Sequence, residues 1–253
     1  PLKINTELSL EGQSVKVKTG NVAIGKSKAQ VQGGIDWQTG YDLKIGIMQL
    51  DLADFLRNIA IKSPVKISAN FKSQINLTGK LDQPLFTGKL ENIKPVVLDK
   101  IPFKIVQTDF QTDLEQLRVK NFRSLPTVGG EIIGSGSLKI GVLSALKNQQ
   151  AIDPKKMLIN AQFKTVVPTQ KLLSPYVSFP QDVQVGELQA NLKVSGTWAK
   201  PEGVLKWLAP NNTLANKMGI SGAGEVQLVN DTLLFRNTRL QAGQGTLFFN
   251  GFG

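Results

Sequence analysis

Apolar and polar residues alternate along much of the chain. Between residues 66 and 78 every second side chain is apolar, apart from Ser73, and all the side chains between them are polar. Successive side chains of a strand point to opposite faces, so this period predicts a strand with one buried and one wet face. The same pattern recurs at 28–37, 43–47, 157–163 and 187–195. Parallel α/β strands are apolar on both faces, so the alternation favours an antiparallel sheet.

Three short segments have helical patterns instead. Residues 51–59 open with Asp51, which can cap a first turn, and their apolar side chains recur at helical spacing. Residues 169–173 lie between two prolines, and residues 142–149 form a weaker candidate. The chain also contains 24 Gly and 12 Pro, which predicts strands joined by turns over most of the remainder. The pattern as a whole predicts an all-β fold with a few short helices.

Two stretches of the chain resemble each other at an offset of 117 residues. Residues 48–84 and 165–201 each contain a short helix, a spacer, an amphipathic strand, a small-Gly turn and a proline, in that order. Gly79 aligns with Gly196. Repeats of this kind stack into elongated structures that grow by addition of units. We therefore predict a single elongated, repeat-built β module over 1–253.

The amino-acid composition excludes most catalytic mechanisms. The 253 residues include no Cys and no His, which excludes thiol nucleophiles, thiolate metal sites and a Ser-His-Asp triad. Asp51 and Asp54 fit helix capping better than a catalytic carboxylate pair. We interpret Asp109, Asp113 and Glu115 as a solvated strand face, since they lack the spacing of a calcium loop.

Glycine-rich stretches also offer no phosphate-binding motif. Residues 134–136, 222–224 and 243–245 do not complete a G-x-G-x-x-G or P-loop pattern, so we interpret them as turn or bulge glycines. We therefore expect no catalytic residues, no metal site and no cofactor, and a protein that is not an enzyme.

The chain is basic, with 30 Lys and Arg against 19 Asp and Glu and a net charge of +11. The lysines are scattered along polar faces, and the aromatics fall mainly on apolar ones. Nucleic-acid binding normally needs clustered cations with interleaved aromatics, so we expect no nucleic-acid partner. A solvated outer surface, or weak attraction to anionic headgroups, explains the charge better.

The two ends of the chain indicate a fragment. No apolar run approaches the roughly 18–20 residues of a membrane helix, and no signal-peptide pattern is present. The chain starts at Pro1, and residues 246–253 have the pattern of a strand still in progress. We expect a piece of a longer protein, with any signal or anchor outside it.

An amphipathic sheet must hide its apolar face from water. A second sheet, a helix layer, closure into a barrel or bound lipid can each do so. The sequence offers little helix to act as a lid, and the pattern leaves a closed barrel, a sandwich and a rolled groove open.

Several strand–turn phrases resemble the TamB family of the AsmA-like group. They are LTGKLDQPLFTGKL at 77–90 and VSGTWAKPEGVLKW at 194–207, each preceded by a short helix such as LADFL, together with GGEIIGSGSLKI at 129–140 and GIDWQTGYDLKIGI at 34–47. The resemblance covers most of the chain and consists of a repeat style. It implies an elongated, curved antiparallel sheet rolled into a half-pipe, or β-taco, with an apolar concave face.

The resemblance also implies a function. Such a segment of a translocation and assembly module protein would conduct glycerophospholipids along a hydrophobic groove between inner and outer membrane and support outer-membrane biogenesis. It would lie in the periplasm as part of an inner-membrane-anchored protein, or in the chloroplast intermembrane space if plastid-derived. The expected partners are phospholipid acyl chains and, through other parts of the full-length chain, a TamA-type outer-membrane barrel.

In each predicted strand the apolar residues occupy alternate positions, and these positions predict which side chains line the groove. The predicted lining residues are Ile67, Ala69, Phe71, Ile75, Leu77, Ile159, Phe163, Leu188, Leu192 and Val194. The alternative hypothesis is a non-catalytic β scaffold or chaperone-like module that binds an outer-membrane barrel by β-augmentation.

Overall fold

A computed structural model describes residues 2–58, 66–214 and 218–253. About 70% of the chain is strand and 8% is helix. All eighteen strands belong to one antiparallel sheet that is not closed. The predictions of an all-β fold, antiparallel pairing and only short helices are confirmed.

The strands are long and the helices short. The strands are β1 Leu2–Glu11, β2 Ser14–Ile24, β3 Ser27–Asp36, β4 Gly40–Asp51, β5 Ile67–Ser68, β6 Asn70–Gly79, β7 Leu85–Asn92, β8 Val96–Leu98, β9 Ile101–Thr112, β10 Gln116–Pro126, β11 Glu131–Lys139, β12 Leu158–Pro168, β13 Val183–Val185, β14 Glu187–Thr197, β15 Pro201–Leu214, β16 Met218–Val229, β17 Thr232–Ala242 and β18 Gly245–Phe252. The helices are α1 Leu52–Asn58, α2 Val142–Lys147 and α3 Thr169–Leu173, with a 3-10 turn at Pro154–Lys156.

The sheet is a meander in which each long strand pairs with the next long strand. The order is β1, β2, β3, β4, β6, β7, β9, β10, β11, β12, β14, β15, β16, β17 and β18. The short strands lie beside this order, with β5 on β8, β8 on β9 and β13 on β15. Within the described residues β1 and β18 are the first and last strands of the sheet and pair only with β2 and β17.

The predicted strand at 66–78 is two strands in the structure. Ile67 and Ser68 form β5 and pair with β8, whereas β6 starts at Asn70 and pairs with β4. Between them the Ala69 carbonyl accepts a hydrogen bond from the Leu52 N–H at 3.0 Å. The alternation continues across the break because the backbone stays extended, while the pairing partner changes.

The two similar segments carry the same elements at the same offset. Helix α1 begins at Leu52 and α3 at Thr169, and strands β6 and β14 follow them. Gly79 and Gly196 end these strands with φ of +94° and +95°. An added Cβ would lie 2.5 Å and 2.7 Å from the carbonyl oxygens of Gln83 and Lys200, so both turns require glycine for the same reason.

Helix α1 is capped as its sequence predicts. Asp51 Oδ1 accepts a hydrogen bond from the Asp54 N–H at 3.0 Å, and Asp54 Oδ2 accepts one from the Lys26 N–H at 2.8 Å. Both carboxylates therefore have structural roles. The predicted last residue of this helix, Ile59, lies outside the described residues, and α2 ends at Lys147 rather than Gln149.

We expect Asp51→Ala to lower the free energy of unfolding by about 1 kcal/mol, because the cap of α1 is lost. Asp51→Asn keeps an accepting oxygen and should stay close to wild type. Urea denaturation followed by circular dichroism measures both variants. Equal stability of Asp51→Ala and wild type would show that the cap adds nothing.

A small packed core lies where α1, β5 and β8 meet the sheet. Its buried residues are Ala69, Phe71, Val96 and Phe103, and only 5% of Phe71 is exposed. Partly buried apolar side chains pack around them: Leu50, Leu52, Ile67, Leu90, Ile101, Val106 and Ile132. We call the four buried residues, Ala69, Phe71, Val96 and Phe103, the rim cluster. They lie at the strand ends where β4 leads into α1.

No helix of the described residues is long and apolar enough to cross a membrane.

Candidate functional site

The pairing register connects side chains from strand to strand across the sheet. Directly paired residues of neighbouring antiparallel strands project to the same side, so each chain of partners forms a row. One row starts at Val31 on β3 and ends at Leu233 on β17. Its members in order are Val31, Ile45, Ile75, Gly88, Phe110, Val119, Gly136, Ala161, Val194, Gly203, Leu228 and Leu233. We call it the apolar row.

Every member of the apolar row is apolar or glycine. At about 4.8 Å between strands, its path along the sheet is roughly 53 Å. A parallel row lies beside it through Gly134, Phe163, Leu192, Leu205, Val226 and Phe235. We call the side of the sheet that carries these two rows the row side; it also carries polar residues such as Ser73 on β6 and Thr165 on β12.

Eight of the ten predicted lining residues lie on the row side in the main sheet, and all of these except Phe71 lie away from the rim cluster. Ile75 and Val194 belong to the apolar row itself, although they are far apart in sequence. The five others away from the rim cluster pair with residues of the same side: Leu77 with Leu43 and Phe86, Ile159 with Leu138, Phe163 with Leu192, and Leu188 with Val167. All seven except Leu77, which is buried, are half-buried.

Phe71 and the remaining two predicted residues, Ile67 and Ala69, lie in or against the rim cluster. Phe71 also pairs with Leu50 on β4, but its ring is enclosed by the cluster. The structure thus separates the predicted lining into half-buried residues along the sheet and packed residues at one margin.

Glycines on the row side lie beside aromatic rings. Gly88 pairs with Phe110, and an added Cβ would lie 2.9 Å from that ring. Gly134 pairs with Phe163, and a Cβ there would overlap the Phe163 ring. Each ring thus lies over the strand that carries the glycine.

A third such pair joins Gly224 on β16 to Trp207 on β15. The interpretation of these glycine stretches as turns or bulges is correct for Gly243, which is in a turn. Gly134 and Gly224 instead lie within strands β11 and β16, facing bulges of the neighbouring strands β10 and β17, and each accommodates a ring. The signal that sequence reasoning missed is glycine at an apolar position of a strand.

Groups with shifted pKa values lie away from the row side. Hydrogen bonds from the Lys89 and Lys72 ammonium groups hold the pKa of Glu91 below its usual range, on the polar side of the sheet. The Gln116 N–H lowers the pKa of Asp113, which accepts from it at 2.8 Å. Asp113 therefore stabilises a turn, which corrects the interpretation of this residue as part of a solvated strand face. The described residues contain no group of three or more acidic side chains that could hold a metal ion.

Comparison of the chain with protein-family models, with curated proteins and with solved structures gives no match.

Proposed function

We propose that the row side of the sheet lines a groove for the acyl chains of glycerophospholipids. The observation that carries this proposal is the apolar row, which runs from β3 to β17 without a polar side chain. In the proposal the sheet curves into a half-pipe with this side concave. Lipids then move along the row, across successive strands.

The physical support is the need to cover apolar surface. A continuous apolar strip of this length is unfavourable in water, and each buried methylene of an acyl chain contributes about 0.8 kcal/mol. The helices follow directly after β4, β11 and β12, so they start at strand ends and leave the middle of the row side to another occupant. Acyl chains are unbranched and flexible enough to follow such a strip.

The cellular setting in the proposal comes from the resemblance to the TamB family. It includes lipid passage between inner and outer membrane, support of outer-membrane biogenesis, and a periplasmic position within an inner-membrane-anchored protein. The proposed setting also includes a TamA-type barrel, which the full-length protein contacts through other parts of its chain. The chain itself acts as a conduit and performs no chemistry.

The alternative is a β scaffold that binds its partner by strand addition. This function predicts a filled interior on the row side.

We expect Leu192→Asp to fold and to lose bound lipid. Leu192 is half-buried between Phe163 and Leu205 on the row side, where an open groove lets water reach the new carboxylate. The charge would disfavour acyl chains there. The measurement pairs a thermal melt with mass spectrometry of co-purifying phospholipids.

Gln189→Asp is the matched control for this experiment. It introduces the same charge on the same strand, β14, but on the exposed polar side, so lipid content should be unchanged. A folded Leu192→Asp variant with wild-type lipid content would refute the groove. Unfolding of the variant would favour the filled scaffold.

A further inference from the structure

The polar side of the sheet carries a furrow of about 640 Å³ that crosses strands β9 to β14. Two rows of paired residues line it. The first is Gln107, Arg123, Ile133, Lys164 and Asn191, and the second is Ser135, Gln162 and Lys193. The furrow has the volume of a small-molecule site. Its lining combines amides, a hydroxyl and cations with apolar residues, namely Ile133, Phe122, Gly134, Phe163 and Leu192.

The lysines of the furrow differ from several others on the polar side. Lys72 and Lys206 each lie within 3.6 Å of a cross-strand carboxylate, from Glu91 and Glu225 respectively. In the described part of the chain no carboxylate lies within 4.0 Å of Lys164 or Lys193. Their direct partners are uncharged: Ile133 and Asn191 for Lys164, and Gln162 and Val204 for Lys193.

The two lysines can act on one anion. Lys164 pairs with Asn191, and Lys193 is two residues further along the same strand, β14. Such diagonal neighbours are about 7–8 Å apart at the backbone, a separation that two lysine side chains can converge across. Both side chains are exposed, so their ammonium groups are free to turn towards a ligand.

Carboxylates at the margin of the furrow are already engaged. Glu131 accepts a hydrogen bond from Arg123 Nε at 2.6 Å, and Asp109 accepts one from Asn121 Nδ2 at 2.8 Å. Glu131 offsets much of the Arg123 charge, so the uncompensated positive charge belongs to Lys164 and Lys193. The amides of Gln162 and Asn191 and the Ser135 hydroxyl surround these two lysines.

We propose that this furrow binds a phosphate group carried on a polyol. Lys164 and Lys193 hold the phosphate by charge-assisted hydrogen bonds, and the neighbouring amides and the Ser135 hydroxyl bind the hydroxyl groups. Lys164 and Lys193 project to the opposite side of the sheet from the apolar row, although Phe163 and Leu192 of the row side also border the furrow. The ligand is either a soluble phosphorylated polyol or the headgroup of an anionic phospholipid in a membrane.

The test uses glycerol 3-phosphate in calorimetric titrations, and flotation with phosphatidylcholine vesicles prepared with and without phosphatidylglycerol. We expect Lys164→Gln/Lys193→Gln to weaken binding by about tenfold or more, because two charge-assisted contacts are lost. The matched control, Lys72→Gln/Lys206→Gln, removes the same net charge elsewhere on the polar side and should bind as wild type.

The outcomes separate the two sources and the proposed function. Glycerol 3-phosphate carries no acyl chain, so its binding reports on the furrow alone, whatever the groove does. Binding of this probe without vesicle binding assigns a soluble ligand. Vesicle binding that needs phosphatidylglycerol and both lysines assigns a headgroup. Equal losses in the two double variants, or no binding to either probe, would overturn the proposal.

Discussion

Phe71→Asp should abolish folding, in contrast to the same change at Leu192. Phe71 is only 5% exposed and lies among Ala69, Val96 and Phe103 in the rim cluster. Truncation of a buried Phe costs about 3–5 kcal/mol, and an unpaired buried carboxylate adds further cost. Together these approach the 5–15 kcal/mol by which a typical domain is stable. Circular dichroism should show no cooperative thermal transition.

Phe71→Leu is the control for this prediction. It keeps an apolar side chain in the cluster and should fold with a reduced melting temperature. A cooperative melt of Phe71→Asp near the wild-type temperature would mean that the rim cluster is open to water. That result would place Phe71 with the half-buried residues of the row side.

The sequence predicts which side of each strand is apolar, but it does not predict that four of the apolar residues pack together as the rim cluster. The alternation within β3, β6, β12 and β14 is a local property and identifies their apolar sides. By contrast β8 contains only three residues, too few to show a period, and the alternation over 66–78 does not reveal that β5 pairs with β8. Their burial depends on contacts with β9 and α1, which a local pattern does not encode.

The apolar row could be predicted only strand by strand. Its continuity depends on the register between strands, and β-bulges change that register. One bulge lies on β10 between Val119 and Phe122, and another on β17 between Arg236 and Arg239. At each one the parity of the apolar side changes, because one residue of the strand has no direct partner. Successive polar residues in the sequence, Lys120 and Asn121 on β10 and residues 236–239 on β17, mark both places.

The positions of charged residues relative to one another also depend on the register between strands, as the furrow on the polar side shows. Lysines that look scattered in sequence can be neighbours in the sheet, as Lys164 and Lys193 are through the pairing of β12 with β14. The description of the polar side as evenly solvated therefore holds where cations meet carboxylates, as at Lys72 and Glu91. It does not hold at the furrow, where the cross-strand partners are amides and aliphatic side chains.

Gly134→Ala should destabilise the protein by about 1–3 kcal/mol, the cost of overpacking a filled site. An added Cβ would overlap the Phe163 ring and the Gln162 carbonyl oxygen. The ring itself packs edge-on against Phe122, with centroids 5.8 Å apart, so it has little room to move. Urea denaturation should give a lower midpoint.

Gly46→Ala separates this overlap from a general preference for glycine. Gly46 also lies within a strand, β4, but a Cβ there would meet nothing within 4 Å. Alanine reduces the freedom of the unfolded chain, so this variant should equal wild type or gain about 0.4–1 kcal/mol. Equal effects at Gly46 and Gly134 would show that strand propensity alone decides both. A loss confined to Gly134 would establish that the aromatic rings of the row side lie over glycine, and that these pairs shape the surface of the row side.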